Sequence, residues 1–313
     1  MNMTRAVARR KQAVRARRKW ADQLPLHLMI LPGLILVLIY SYGPMFGLSI
    51  AFQRFIPARG ILGSEWVGLR NFAFVMSLPD TYEVLWNTVF IASMKVVAGL
   101  IVPVTIAILL NEIRKERVKR TFQTLIYLPH FLSWVILGGI LIDILSPSYG
   151  IVNGFLGLFR IQPIYFLGDN DWFPFVLVVS DTWKEFGFNT IVYLAALTSI
   201  DPLLYEAAEV DGAGRLRQTW HITLPGMRPI IVLLTTLSLG NILNAGFDQV
   251  FTLYSPQVYE SGDIIDTFVY RMGLIDAQYS FAAAVGLLRS VVSFIFISVA
   301  YILAHRFANY RIF

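Results

Sequence analysis

An all-α membrane protein with six spanning helices is the fold the sequence predicts, and three observations predict it. Of 313 residues, 56% are hydrophobic and 15% charged, whereas a soluble domain carries roughly 45–50% apolar and about 25% charged residues. The apolar residues gather into six long runs, and Lys and Arg crowd every second connection between them. A bilayer core about 30 Å thick takes roughly 20 apolar residues per helix. Runs near 27–49, 85–110, 122–145, 173–199, 229–253 and 281–304 are each long enough. The division that follows is a basic tail over 1–26, a first transmembrane helix over 27–52, and a five-helix transmembrane domain over 83–305 that contains a loop at 201–225. A disordered chain is excluded and a soluble enzyme disfavoured. Cysteine is absent, which removes disulfides, thiolate metal sites and cysteine nucleophiles.

The elements can be justified in order. Arg5, Arg9, Arg10, Lys11, Arg15, Arg17, Arg18 and Lys19 supply eight of the 26 basic residues before the first apolar run, and the net charge is +6. A polybasic tail on a membrane surface accounts for this better than nucleic acid does. From Gln23 to Gln53 no Asp, Glu, Lys or Arg occurs. That run exceeds the apolar core of about 7–15 residues in a cleavable signal, so it should persist as a helix, kinked at Pro32 and Pro44.

Orientation follows from the basic residues. With the N-terminus inside, eighteen Lys and Arg fall on inner segments, and five (Arg54, Arg59, Arg70, Arg160 and Arg271) on outer loops. Both termini are then cytoplasmic. Lys95, Lys184 and Arg289 lie within spans, together with Asp143, Asp181, Glu185 and Asp248. A central membrane charge is costly, so each needs a partner or water. Asp181 and Lys184 form an i,i+3 pair, and all these groups fall near the middle or in the outer half, which predicts a polar vestibule open to the exterior, with snorkelling from helix ends and structural ion pairs as the alternative. Trp20, Trp86 and Trp172 belong to the interfacial belt. Aromatic rings set among amides and a carboxylate within the spans suit a polar solute that also has apolar faces. The predicted path for such a ligand is therefore Trp183, Asn189, Tyr193, Asn241, Asn244 and Asp248, with core packing as the alternative for each.

The inner loop from Asp201 reads DPLLYEAAEVDGAGRLRQTWHITLP. Asp201 and Pro202 make a helix start, Gly212 suits the left-handed residue that ends a helix, and a second short helix should be closed off by Pro225. Ala207 and Ala208 are small enough for another surface to approach closely, Glu206 and Glu209 offer carboxylates, Arg215 and Arg217 cations, and Tyr205 and Trp220 aromatic anchors. Packing on its own bundle is the alternative.

Glu206-Ala207-Ala208, three residues, Gly212, nine residues, then Ile222-Thr223-Leu224-Pro225 resembles the EAA loop of ABC importer permeases, spacing included. Trp66-Val67-Gly68-Leu69-Arg70-Asn71-Phe72, Tyr127-Leu128-Pro129-His130-Phe131, Tyr193-Leu194-Ala195-Ala196-Leu197 and Asp263-Ile264-Ile265-Asp266-Thr267 are similar to the branch of sugar permeases serving oligosaccharides and polysaccharide fragments. The resemblance implies a type I ABC importer permease fold in a bacterial plasma membrane. It also implies a second permease subunit, two ATP-binding subunits that hold ATP and Mg, and an extracellular solute-binding protein. In that reading Tyr205, Glu206, Ala207, Ala208, Asp211, Gly212, Arg215, Leu224 and Pro225 couple to the ATPase.

No Gly-Lys pair occurs in the chain, so it has no P-loop, and no cofactor of its own is expected. The four histidines lack metal-ligand spacing, and no GxSxG elbow marks a hydrolase. Nucleic acid is not an expected partner. The rival readings are an ion-coupled secondary transporter with Asp181, Asp248 and Arg289 as relay, an intramembrane enzyme or scaffold, and an ABC importer for amino acids or peptides.

Overall fold

A computed structural model describes residues 23–240 and 242–308. The basic tail with Trp20, residue Asn241 and residues 309–313 lie outside the described residues. The chain is almost wholly helical. Among the described residues the one sheet is a two-stranded hairpin of β1 (Gln53–Arg54) and β2 (Glu65–Trp66).

Helix α1 (Gln23–Phe52) is the first apolar run. Pro32 sits within its α-helical part, while at Pro44 the winding changes instead of breaking. A π turn at Leu38–Tyr42 leads into a 3-10 stretch at Gly43–Phe52 that begins beside the proline. Residues 23–46 are all exposed, and only the last turns meet the rest of the chain. Asn71 ties that end down by donating to the carbonyls of Ala51 (2.8 Å) and Gln53 (3.0 Å).

Helix α2 (Arg70–Ser77) precedes α3 (Pro79–Asn111), which packs along α7 (Phe173–Thr198) more extensively than any other pair. Between them in sequence, the run expected as the third span is bent by 102°. Helix α4 (Glu116–Tyr127) passes through a 3-10 turn at Leu128–Phe131 into α5 (Trp134–Leu145). Pro129 lacks the N–H that would continue α4, and Ser133 starts α5 by accepting from the Ile136 amide at 3.3 Å. The elbow lies against α7 at Gly187, where any side chain would collide with the carbonyl of Ile126.

Past the elbow, α6 (Ile151–Leu158) is pinned by one buried residue. Asn153 donates to the carbonyls of Leu145 (3.3 Å), Ser146 (3.1 Å) and Ile164 (3.0 Å) and accepts from the Ile164 amide at 2.8 Å. Asn153→Leu removes these bonds and leaves backbone groups unpaired, each costing about 1–3 kcal/mol. A loss of about 2 kcal/mol is expected in thermal unfolding of the purified protein, whereas Asn170→Ala, which removes exposed bonds, should cost under about 0.5 kcal/mol.

Helices α8 (Pro202–Val210) and α9 (Arg215–Gly240) form the hairpin that follows α7. The expectation of a short second helix ending at Pro225 is corrected: α9 runs through Pro225 and Pro229 to Gly240. A proline ring crowds the carbonyl four residues back, and a π turn at Thr219–Thr223 directly before it loosens the winding there. The fifth span therefore begins earlier than 229 and stops at Gly240. An irregular stretch over 242–246 separates it from α10 (Phe247–Leu253). After α11 (Ile265–Tyr270), α12 (Tyr279–Ala308) returns along α9 and the end of α1.

Among the described residues four helices are long and apolar enough to cross a membrane alone, and six spans result if each of two bent pairs counts as one. Two apolar cores hold the bundle. The one nearer the α8–α9 hairpin contains Val104, Ala107, Leu110, Leu197 and Met227. The other, toward the opposite end, contains Ile91, Phe173, Leu177, Ile264 and Phe268.

Candidate functional site

Between the two cores lies a polar cavity of about 280 Å³, walled by α3, α7, α9 and the irregular stretch before α10. On α7 its lining residues Asp181, Glu185, Asn189 and Tyr193 recur every four positions, a strip that winds about 40° per step around a helix of 3.6 residues per turn. Helix α3 contributes Lys95 and Gly99, and α9 contributes Thr235 and Ser238.

Unpaired backbone in a bilayer interior must find partners within the protein, and Lys95 provides one. Its Nζ donates to the Ala245 carbonyl at 2.7 Å and to Gln249 Oε1, and lies 3.4 Å from Asp181. Gln249 is fully buried and donates in turn to the Leu177 carbonyl and to Ser180 Oγ, both at 2.8 Å. This network fixes the break between α9 and α10 against α3 and α7. Gly246, at φ +94, supplies the left-handed residue from which α10 starts.

A second cluster joins the cavity to the elbow. Glu185 Oε2 lies 2.7 Å from His130 Nδ1, and its Oε1 accepts from Lys184 Nζ at 3.0 Å. Lys184 also donates to the His130 carbonyl at 2.8 Å, another group freed by broken winding. The His130 ring stacks on Phe188 at 4.2 Å.

The sequence expectations divide accordingly. Asn189, Tyr193 and Asn244 line the cavity. Trp183 does not: it sits on the opposite face of α7, in an apolar groove with Leu141, Trp172 and Val179. Asp248 is exposed on α10 and lines no part of the cavity, and Asn241 lies outside the described residues. The expected i,i+3 pair of Asp181 and Lys184 is replaced by Lys95–Asp181 and Lys184–Glu185. The reason is local: the two ammonium groups go where broken helices leave carbonyls bare.

The charges do not converge on one vestibule. Arg289 pairs with Asp266 beside an apolar pocket, and Asp143 is exposed at the end of α5. Asp181, Asp248 and Arg289 thus form no relay. Sequence reasoning missed Gln249 and the role of Glu185; the four-residue recurrence along α7 was the available signal for Glu185.

At the far end of α7 the hairpin is built as a handle. Asp201 caps α8 by accepting from the Leu203 amide at 3.0 Å, and Gly212 turns at φ +75. The α8 face carrying Leu203, Glu206, Ala207 and Val210 is exposed. Asp211, Gly212, Leu216 and Trp220 are exposed as well, while Ala208 is half-buried. The hairpin is stiffened from within. Tyr205 Oη lies 3.0 Å from Thr223 Oγ1 in the turn before Leu224 and Pro225, and Arg215 pairs with Glu112 at the end of α3. Arg215 is therefore engaged within its own chain. Among the described residues no cluster of His, Asp or Glu could hold a metal.

Comparison with known proteins gives consistent matches. Residues 99–309 match the family model described as binding-protein-dependent transport system inner membrane component. The polygalacturonan/rhamnogalacturonan transport system permease protein YteP of Bacillus subtilis is 43% identical over 93% of this chain and 91% of its own. Protein LplB of the same organism is 42% identical over 93% and 90%. A crystal structure of a bacterial ABC transporter involved in the import of the acidic polysaccharide alginate superposes with a TM-score of 0.87 at 36% identity, covering 94% of this chain and 99% of that one. A crystal structure of a bacterial alginate ABC transporter in complex with an alginate pentasaccharide-bound periplasmic protein gives 0.85 at 37% identity, covering 92% and 96%.

Proposed function

The chain belongs to the family of binding-protein-dependent transport system inner membrane components, and from that premise we propose that it is the permease subunit of an ATP-driven importer for an oligosaccharide or polysaccharide fragment. The observation that carries the reading is the pairing of a polar cavity at the middle of the bundle with an exposed, internally braced hairpin at one end. A sugar needs the first, and an external motor needs the second.

In this reading the hairpin lies on the cytoplasmic side with both termini, held by one of two ATP-binding subunits that carry ATP and Mg. A second permease faces the cavity, and an extracellular solute-binding protein delivers the sugar. Nucleotide-driven closure of the ATPase pair draws the two hairpins together. Helix α9 runs from the hairpin through the π turn at Thr219–Thr223 to the cavity wall, so a displacement of Arg215 is carried along one helix toward Thr235 and Ser238. Hydrolysis resets the inward-facing state. Sugar bound by Asn189, Tyr193 and Asn244 undergoes no chemistry.

The chain contains no cysteine, which makes the test direct. A single cysteine at Ala207, exposed on α8, should crosslink to the ATP-binding subunit in membranes, and the crosslink should stop energised uptake. Absence of any crosslink in every nucleotide state, with uptake intact, would remove the hairpin from coupling.

A further inference from the structure

Which sugars the cavity passes is a finer question, and the answer rests on reading the cavity as the sugar path. Two ion pairs border it, and in both the cation is the hidden member. The Lys95 and Lys184 side chains are each 9% exposed, against 26% for Asp181 and 32% for Glu185. Lys95 Nζ is taken up by Asp181, Gln249 and the Ala245 carbonyl. Lys184 Nζ is taken up by Glu185 and the His130 carbonyl, behind the lining. No other Lys or Arg lines the cavity among the described residues.

The polar surface met by a solute is therefore carboxylate oxygen, the amides of Asn189 and Asn244, the phenol of Tyr193 and the hydroxyls of Thr235 and Ser238, with Thr182 beside them. Thr182 Oγ1 is buried without a hydrogen-bond partner in the described structure. Sugar hydroxyls complement such a wall, because each can donate to a carboxylate, and charge-assisted bonds are the stronger kind. A uronate carboxylate brings only acceptors and a like charge, which is repelled across several ångströms at the low dielectric of a protein interior. It would also have to displace a buried ammonium from the carbonyl that holds it.

We infer that the cavity selects neutral, hydroxyl-bearing sugar units and disfavours uronate units. The similar transporter that imports alginate handles an acidic polymer, so the inference separates this cavity from that neighbour's cargo. Glu185 is the specificity-determining residue: its carboxylate is the more exposed of the two and is held in place by His130 and Lys184.

The test uses the assembled importer in detergent, without the solute-binding protein, and measures equilibrium binding of xylotriose, cellotriose and trigalacturonate by saturation-transfer NMR titration. The neutral trisaccharides should bind at least tenfold more tightly than trigalacturonate, and Glu185→Gln should narrow that ratio severalfold, by weakening neutral binding and by relieving the repulsion of trigalacturonate. Equal or tighter binding of trigalacturonate by the unmodified complex overturns the inference. So does a ratio unchanged by Glu185→Gln. Failure of all three sugars to bind while ATP-driven oligosaccharide uptake persists overturns selection by this cavity and leaves the importer reading standing. Absence of any sugar uptake by the complete system would instead count against the importer reading itself.

Discussion

Gly187→Ala is expected to destabilise the protein by about 3 kcal/mol or more, at the upper end of the range for overpacking. The added methyl would land on the carbonyl of Ile126, with the Tyr127 amide close behind. Both are backbone groups, so no rotamer change relieves the clash. Only separation of α4 from α7 does, and that separation also parts His130 from Glu185 and Lys184. Energised uptake should fall with stability. Gly139→Ala serves as the control, because a methyl there meets nothing within 4 Å and a helical Gly→Ala exchange is ordinarily favourable by about 0.5–1 kcal/mol. Thermal unfolding of the two variants in detergent decides the matter. Equal midpoints would mean that the elbow does not depend on this contact.

The second large effect concerns the buried pair. Lys95→Met leaves the Asp181 carboxylate without its cation and strips a donor from the Ala245 carbonyl and from Gln249. Breaking one side of a buried pair costs about 3–5 kcal/mol. Asp181 is partly open to the cavity, which places the expected loss near the lower figure. Replacing both residues, Lys95→Met with Asp181→Leu, should recover much of that loss, since an apolar pair of similar volume is often neutral. The bare Ala245 carbonyl remains in the double variant and keeps the recovery incomplete. Strict additivity of the two single losses in a double-mutant cycle would show that the pair does not interact. Uptake should stay low in the double variant, because the cavity wall has lost one of its two carboxylates.

Much of the architecture was legible in the sequence because it depends on local quantities. Run length and the distribution of Lys and Arg located the spans. Asp201, Pro202 and Gly212 marked the first half of the hairpin through capping and left-handed geometry, and the structure places all three in those roles. What failed were inferences that treated proline and neighbouring charge as decisive. Pro225 was read as a stop, yet a π turn accommodates it; the winding of one turn is not encoded by the proline alone. Pro129, inside the run read as the third span, marks a 102° bend. Asp181 and Lys184 were paired by their spacing on one helix, but their real partners are set by carbonyls that broken helices expose elsewhere. Trp183 was grouped with Asn189 and Tyr193, six and ten residues further on, although rotation around α7 carries it to the other face. For the cavity, the four-residue recurrence from Asp181 to Tyr193 was the readable part. Gln249 was not, because its importance arises only when α10 folds against α7.

Helix α1 behaves as a cantilever. It is fixed at the end where Asn71 grips the Ala51 and Gln53 carbonyls, and residues 23–46 have no buried side chain. At 1.5 Å per residue that exposed stretch is about 36 Å long, so a small rotation at the clamp sweeps residue 23 through many ångströms. The direction it takes is consequently a property of its surroundings, and the energy of placing it belongs to assembly. A melting temperature measured on the lone subunit and one measured on the complex would therefore refer to different thermodynamic states.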